Sequence, residues 1–277
     1  MQIKTRGFGV IRAARRMAER VDGAYARSLS LMAPTGPRRT VVVVGIYREA
    51  QPILSVVEEL RRSRHDVRFR LGAMDAAQPE LAAETFRDHM RAGKFQNLNV
   101  LAEGLDHPDW LVIIDDDVTV RAGFLDAAIE LCDRLDLALA QPAQTRFSNA
   151  NWRLTKRRLL TLARRTDFVE IGPVTLIRAD AQRLLLPFPA DLRYGWGLDF
   201  HWAHVMKQAA LGMGVLDGLA VVHASRKVAS TYSWDAAQEE GRAYLAGVPH
   251  LSKDVAEGDG HRRHRLIPPV RRPHAVR

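Results

Sequence analysis

The chain has 277 residues, 47% hydrophobic and 26% charged, with one cysteine, Cys132, which excludes an intrachain disulfide. A chain of this length buries roughly 70–75% of its unfolded surface, so it needs no staple to fold and suits one large domain or two small ones. The net charge of +9 sits at the ends: +7 over residues 1–39 and +6 over 261–277, leaving −4 between them, so the basic excess argues for neither a nucleic-acid partner nor any other ligand of the central domain.

No apolar run reaches the roughly 18 residues of a membrane span, and the first residues lack the apolar stretch of a secretion signal. A cytoplasmic location is expected, with the inner face of the membrane as a place of contact. That contact would use residues 6–29. There Phe8, Ile11, Met17, Val21, Tyr25 and Leu29 recur on one helical face, and Arg12, Arg15, Arg16, Arg20 and Arg27 supply much of the rest. The same helix equally suits packing on the domain or on a second subunit. Residues 33–37, Ala-Pro-Thr-Gly-Pro, form a linker.

From residue 38 to 250 the pattern alternates strand and helix. Val41–Ile46 is a β-branched run expected of a strand buried on both faces. Gln51–Arg64 predicts a helix with Ile53, Leu54, Val57 and Leu60 inward, and Val67–Leu71 a strand. Pro79–Arg91 and Phe95–Leu105 predict helices, Trp110–Ile114 a strand, Ala122–Leu135 a helix and Leu137–Ala140 a short strand. Trp152–Arg165 predicts a basic helix, a solvated face or a site for a phosphorylated acceptor. Phe168–Ile177 predicts a strand, Asp180–Leu186 a short helix, Leu198–Leu211 a helix and Gly214–Val222 a strand. Strands alternating with helices predict a mainly parallel sheet covered on both faces. From about 251 to 277 the basic tail is expected to be mobile.

Three segments carry chemistry. Leu111–Thr119, LVIIDDDVT, ends a buried strand in Asp115, Asp116 and Asp117. Ligands bind beyond the carboxyl ends of strands in open α/β sheets, and repulsion among adjacent carboxylates is relieved by a divalent cation that also bridges phosphates. A solvated acidic turn capping the next helix is the plainer alternative. Arg193–Phe200, RYGWGLDF, has two glycines, Gly195 and Gly197, that permit unusual backbone angles. Between them Trp196 suits stacking on a sugar, and Asp199 opens a helix where a carboxylate is well held and suits a general base. Alternatively Trp196 is core and Asp199 a cap. Ala220–Ala224, AVVHA, ends a strand in His223, an imidazole ligand for Mn²⁺-like ions or a structural histidine.

Asp115-x-Asp117-x-Thr119 fits the string of haloacid-dehalogenase-type phosphatases, whose first Asp is a nucleophile. That motif normally opens its domain, and here two βα units precede it. The segments together resemble the GT-A glycosyltransferases, especially family 2-like members, over roughly residues 40–245. They are closest to an uncharacterised family with a GWGLDF signature, which pairs that loop with FVE…PV (Phe168–Glu170, Pro173–Val174) and GV-x-D…VVH (Gly214–Asp217, Val221–His223).

The resemblance implies a three-layer α/β/α sandwich, Rossmann-like, and a metal-dependent, inverting transfer of a sugar from a nucleotide-sugar donor to a hydroxyl acceptor. It implies Asp115, Asp117 and His223 as ligands of Mn²⁺ or Mg²⁺, with Asp199 as the base. Nucleotide contacts are expected from Tyr47, Arg48, Glu49, Asp75, Lys94, Asn97 and Asp116, and sugar or acceptor contacts from Gly195, Trp196 and Gly197. A non-enzymatic membrane- or nucleic-acid-associated scaffold using the basic ends is the remaining alternative.

Overall fold

The computed structural model describes residues 35–145, 148, 152–223, 233–258, 260 and 262–265. The proposed N-terminal helix over 6–29 lies outside the described residues.

The chain opens with β1 (Thr40–Tyr47), α1 (Ala50–Arg61), β2 (Asp66–Ala73), β3 (Thr85–Arg87) and α2 (Lys94–Ala102). Next come β4 (Trp110–Asp115), β5 (Val118–Thr119), α3 (Phe124–Leu135), β6 (Leu139–Gln144), β7 (Ala163–Thr166), β8 (Val174–Arg178) and α4 (Ala179–Leu185). It ends with α5 (Leu198–Gln208), β9 (Met213–His223), α6 (Trp234–Gly247), α7 (Asp254–Glu257) and β10 (Arg262–His264). The strands form one sheet in the order β10-β7-β9-β6-β8-β4-β1-β2-β3. Among the described residues the pairings give seven strands pointing one way, with β7, β8 and the short β5, which pairs with β9 beside this path, reversed.

The period of two explains the layering. Val41 and Val43 of β1 face one side with Trp110, Val112 and Ile114 of β4, against α1 and α3. Val42 and Val44 face the other with Leu111 and Ile113, against Phe95 and Leu98 of α2 and Trp202 and Met206 of α5. Each strand is apolar on both faces because each face carries a helical layer. This is the expected three-layer α/β/α architecture, with a mainly parallel sheet.

Three expectations need correction. Residues 79–91 are not a helix: Pro79–Leu81 make one short helical turn and Thr85–Arg87 add edge strand β3. Residues 152–165 are not a helix either. They are turns followed by β7, because Asp217 captures this segment. The Arg164 guanidinium donates to both Asp217 oxygens at 2.8 and 3.2 Å and to the carbonyls of Leu154 and Lys156, and the Arg158 N–H donates to Asp217 Oδ1. Arg164 and Asp217 are fully buried, and these long-range bonds outweigh local helical preference. Within the tail expected to be mobile, described residues of 251–265 pack on the domain. Ala256 is buried, the Leu154 N–H donates to its carbonyl, and β10 pairs antiparallel with β7. In addition, the strand expected over 168–177 is confined to Val174–Arg178. No helix among the described residues is long and apolar enough to cross a membrane.

Candidate active site

A cleft of about 790 Å³ opens at the carboxyl ends of β1, β4 and β9. Its candidate metal-ligating residues are brought together by β5. This two-residue strand directly follows the three aspartates and pairs antiparallel with the end of β9, setting Val118 opposite His223. The imidazole thereby lands beside Asp117, with Nε2 3.0 Å from Oδ1. Asp115, Asp117 and His223 each offer one ligand atom within 4.8 Å of the others.

Two bonds of about 2.0–2.6 Å each span that spread, and carboxylate and imidazole donors suit Mn²⁺- or Mg²⁺-like ions. His223 Nδ1 is buried without a hydrogen-bond partner among the described residues. The donor set therefore fits a divalent cation.

Electrostatics at the cluster follow from desolvation and crowding. Burial pushes the Asp115 carboxyl above its ordinary value, against the pull of Lys94. The Lys94 ammonium, on the first residue of α2, lies 2.6 Å from Asp115 Oδ1. Burial pulls His223 down, but its bond to Asp117 and the charges of Asp117 and Asp115 outweigh this and raise its pKa. Asp116 turns the other way and accepts the Arg48 N–H at 3.2 Å, tying the β4 turn to the loop after β1.

Asp199 lies deeper. It occupies the first turn of α5, where its Oδ1 accepts the Phe200 N–H at 3.1 Å. Burial, then the neighbouring Glu170 carboxylate, push its pKa up to about 8. Glu170 is also buried and accepts from Gln144 Nε2 at 3.0 Å. Two buried carboxyl groups so placed do not both ionise readily.

The loop before α5 is shaped by its glycines. Gly195 has φ +80° and a Cβ there would lie 2.3 Å from the Phe95 ring. Gly197 has φ +88° and a Cβ would lie 2.9 Å from Leu245. Trp196 is thereby turned onto the cleft wall, edge-to-face with Trp234 at 4.5 Å. The loop is held from α6, where the Glu240 carboxylate accepts the N–H groups of Arg193, Tyr194 and Gly195 at 2.8, 2.8 and 3.0 Å.

Of the residues singled out in the sequence, Arg48, Lys94, Asn97, Asp115, Asp116, Asp117, Trp196, Gly197, Asp199 and His223 line this one cleft. Asn97 does so as a brace, its amide donating to the Ala92 carbonyl at 3.0 Å. Others lie off it. Tyr47 is fully buried, and its hydroxyl bonds Thr85 at 2.7 Å. Glu49 caps α1. Gly195 sits behind the wall against Phe95. Asp75 pairs with Arg91 at 2.6 Å, and only Arg91 faces in.

Gln144, Trp234 and Glu240 escaped the sequence reading, and Glu170 entered it only within the FVE…PV segment, without a role. Glu170 was legible as a lone acid inside the apolar run 168–177, and α6 as the spacing of Trp234, Ala237, Gly241 and Leu245.

The α/β/α sandwich with its mainly parallel sheet is a GT-A fold, as likeness to solved structures shows. Among solved structures it is similar to the mannosyltransferase PcManGT from Pyrobaculum calidifontis in complex with GDP-Man and Mn²⁺. The identity is 15% and the TM-score 0.55, over 89% of this chain and 77% of that one. It is also similar to S. aureus TarS 1-349 in complex with UDP-GlcNAc (13%, TM-score 0.52, 74% of this chain and 65% of that). GalNAc-T7 with UDP, GalNAc and Mn²⁺ is a further likeness (13%, TM-score 0.50, 67% of this chain), and there the match spans only 43% of the other chain's length. What these share with the chain is the fold. No protein-family model and no curated protein matches the sequence.

Proposed function

We propose that the protein is a metal-dependent glycosyltransferase that moves a sugar, with inversion, from a nucleotide-sugar donor to a hydroxyl acceptor. One observation carries the reading: the Asp115–Asp117–His223 cluster and the buried Asp199 line the same cleft, at the carboxyl ends of the sheet. The kinship of fold with proteins bound to GDP-Man and Mn²⁺, and to UDP-GlcNAc, supports it. So does the position of the aspartate turn at the fourth strand, where the phosphatase alternative requires the first.

Asp115, Asp117 and His223 would hold the cation, Mn²⁺ or Mg²⁺, which supplies Lewis-acid neutralisation of a departing diphosphate. Lys94 adds a fixed positive charge at the same place, and Arg48 lies on the nucleotide side. Asp199 takes the proton of the acceptor hydroxyl. The acceptor oxygen forms the new glycosidic bond as the bond between sugar and diphosphate breaks, and the nucleoside diphosphate leaves with that electron pair. Trp196 and Trp234 offer apolar faces to the sugars. The GWGLDF signature fits this assignment, since its glycines orient the tryptophan and present the aspartate.

The test is titration of UDP and GDP in Mn²⁺ and in EDTA. Binding to the native chain should require the metal, and Asp117→Ala should weaken it by about 100-fold or more, as for loss of a metal ligand or its support. Nucleotide binding of full strength in Asp117→Ala would sink the metal assignment.

A further inference from the structure

One wall of the cleft is built by α6, whose inward stripe is Trp234, Gln238, Gly241, Arg242 and Leu245. The spacing is that of one helical face. Trp234, Gln238 and Arg242 on it are exposed. The acids of α6 are spent or lie off the stripe: Glu240 is engaged by three backbone N–H groups, and Asp235 and Glu239 do not face the cleft. Lys253, from the segment before α7, joins the same wall, and the Leu251 N–H beside it donates to the Phe200 carbonyl, one residue after Asp199.

Arg242 and Lys253 are therefore two cations without a carboxylate partner among the described residues, lining the same cleft as the exposed Trp234. Gln144 lines the same cleft, and its buried Oε1 has no hydrogen-bond partner among the described residues. A lone amide oxygen at a cleft wall accepts a hydroxyl.

Resting on the glycosyltransferase reading, we propose that α6 and Lys253 form the acceptor subsite, and that the acceptor is a hydroxyl-bearing sugar carrying a phosphate or carboxylate. Its anionic group meets Arg242 and Lys253, its ring lies against Trp234, and a hydroxyl donates to Gln144 within reach of Asp199. Charge complementarity favours an anionic ligand over a neutral one at such a wall.

The experiment measures binding of glucose 6-phosphate, glucuronate, methyl glucoside and inorganic phosphate by saturation-transfer NMR. The protein is the full chain with Mg²⁺ and UDP or GDP, and nucleotide binding is followed separately. At least one anionic sugar should bind about tenfold or more tighter than methyl glucoside. Arg242→Glu, an exposed substitution, should remove that preference, and Trp234→Ala should weaken all the sugars. The two anionic sugars separate phosphate from carboxylate. Equal binding of methyl glucoside, an unchanged preference in Arg242→Glu, binding of phosphate as tight as of its sugar ester, or no sugar binding to the nucleotide-loaded protein would each overturn the acceptor class. Absence of nucleotide binding would instead strike the donor reading on which it stands.

Discussion

At the scale of the residue, Asp199, the proposed base, poses the sharpest chemical question, because a base must give up its proton before it can take another. Its carboxyl, buried beside Glu170, holds its proton up to about pH 8. Only the ionised fraction accepts a proton, so turnover should rise with pH and level off near 8, nearly tenfold per unit well below it. Asp199→Asn should abolish most turnover and leave nucleotide affinity unchanged. Stability gives an independent reading. The folded pKa is raised, so the unfolded chain releases this proton at lower pH than the folded one does. Native stability contributed by this group therefore falls as pH rises from the ordinary carboxylate range to about 8, by at most about 1.4 kcal/mol per unit. Denaturant titrations at stepped pH should show a shallower decline in Asp199→Asn, and parallel curves would remove the burial argument. Asp199 and His223 were legible as single residues because each ends or begins an element in a recognisable string. Glu170 stood out only as the acid of the FVE…PV segment, and its effect on Asp199 was not legible, since that depends on a contact made across the cleft.

At the scale of the element, α6 and the loop it holds behave as one unit. Three backbone N–H groups of residues 193–195 converge on Glu240, and Gly241 lies under Trp196, where a Cβ would stand 3.0 Å from the tryptophan Cβ. Glu240→Ala leaves those donors without their acceptor, a cost of about 1–3 kcal/mol for each one left unsatisfied. Amide exchange at 193–197 should quicken markedly while exchange in β1 and β4 stays unchanged, and turnover should fall with the loop. Glu240→Gln, which keeps one carbonyl oxygen, should restore part of the protection. Uniform loss of protection throughout would mean that Glu240 supports the whole fold and not this loop.

The segment 152–165 teaches the opposite lesson. Arg153, Lys156, Arg157 and Arg158 read as the polar face of a helix, yet the buried Arg164–Asp217 pair draws the chain into turns and strand β7, held between β10 and β9. Asp217→Ala should cost about 3–5 kcal/mol by stranding the guanidinium, measured as a lower denaturation midpoint. No local pattern announces such a pair, because its two members are 53 residues apart.

At the scale of the whole molecule, the β1–β4 half and the half built around β6 and β9 meet at the cluster: Asp115 and Asp117 follow one, His223 ends the other. Alternating apolar residues made the sheet and its two covering layers readable, whereas the β5–β9 pairing that brings the halves together depends on two residues, too few for any periodicity to show. A cation held by donors from both halves binds only the assembled protein, so it stabilises by mass action. Mn²⁺ with a nucleoside diphosphate at about 100 times its dissociation constant contributes about 2.7 kcal/mol, equivalent to a rise of about 5–10 °C in Tm for a chain of this size. EDTA should cancel it. Protons compete for the same site. His223 must be neutral to ligate, and its raised pKa keeps it protonated to higher pH than an ordinary histidine. The metal-dependent rise should therefore shrink as pH falls through the histidine range, and His223→Gln should flatten that dependence while weakening the effect. A metal-dependent rise in Tm of the same size in wild type and His223→Gln at every pH would place the cation elsewhere than between the two halves.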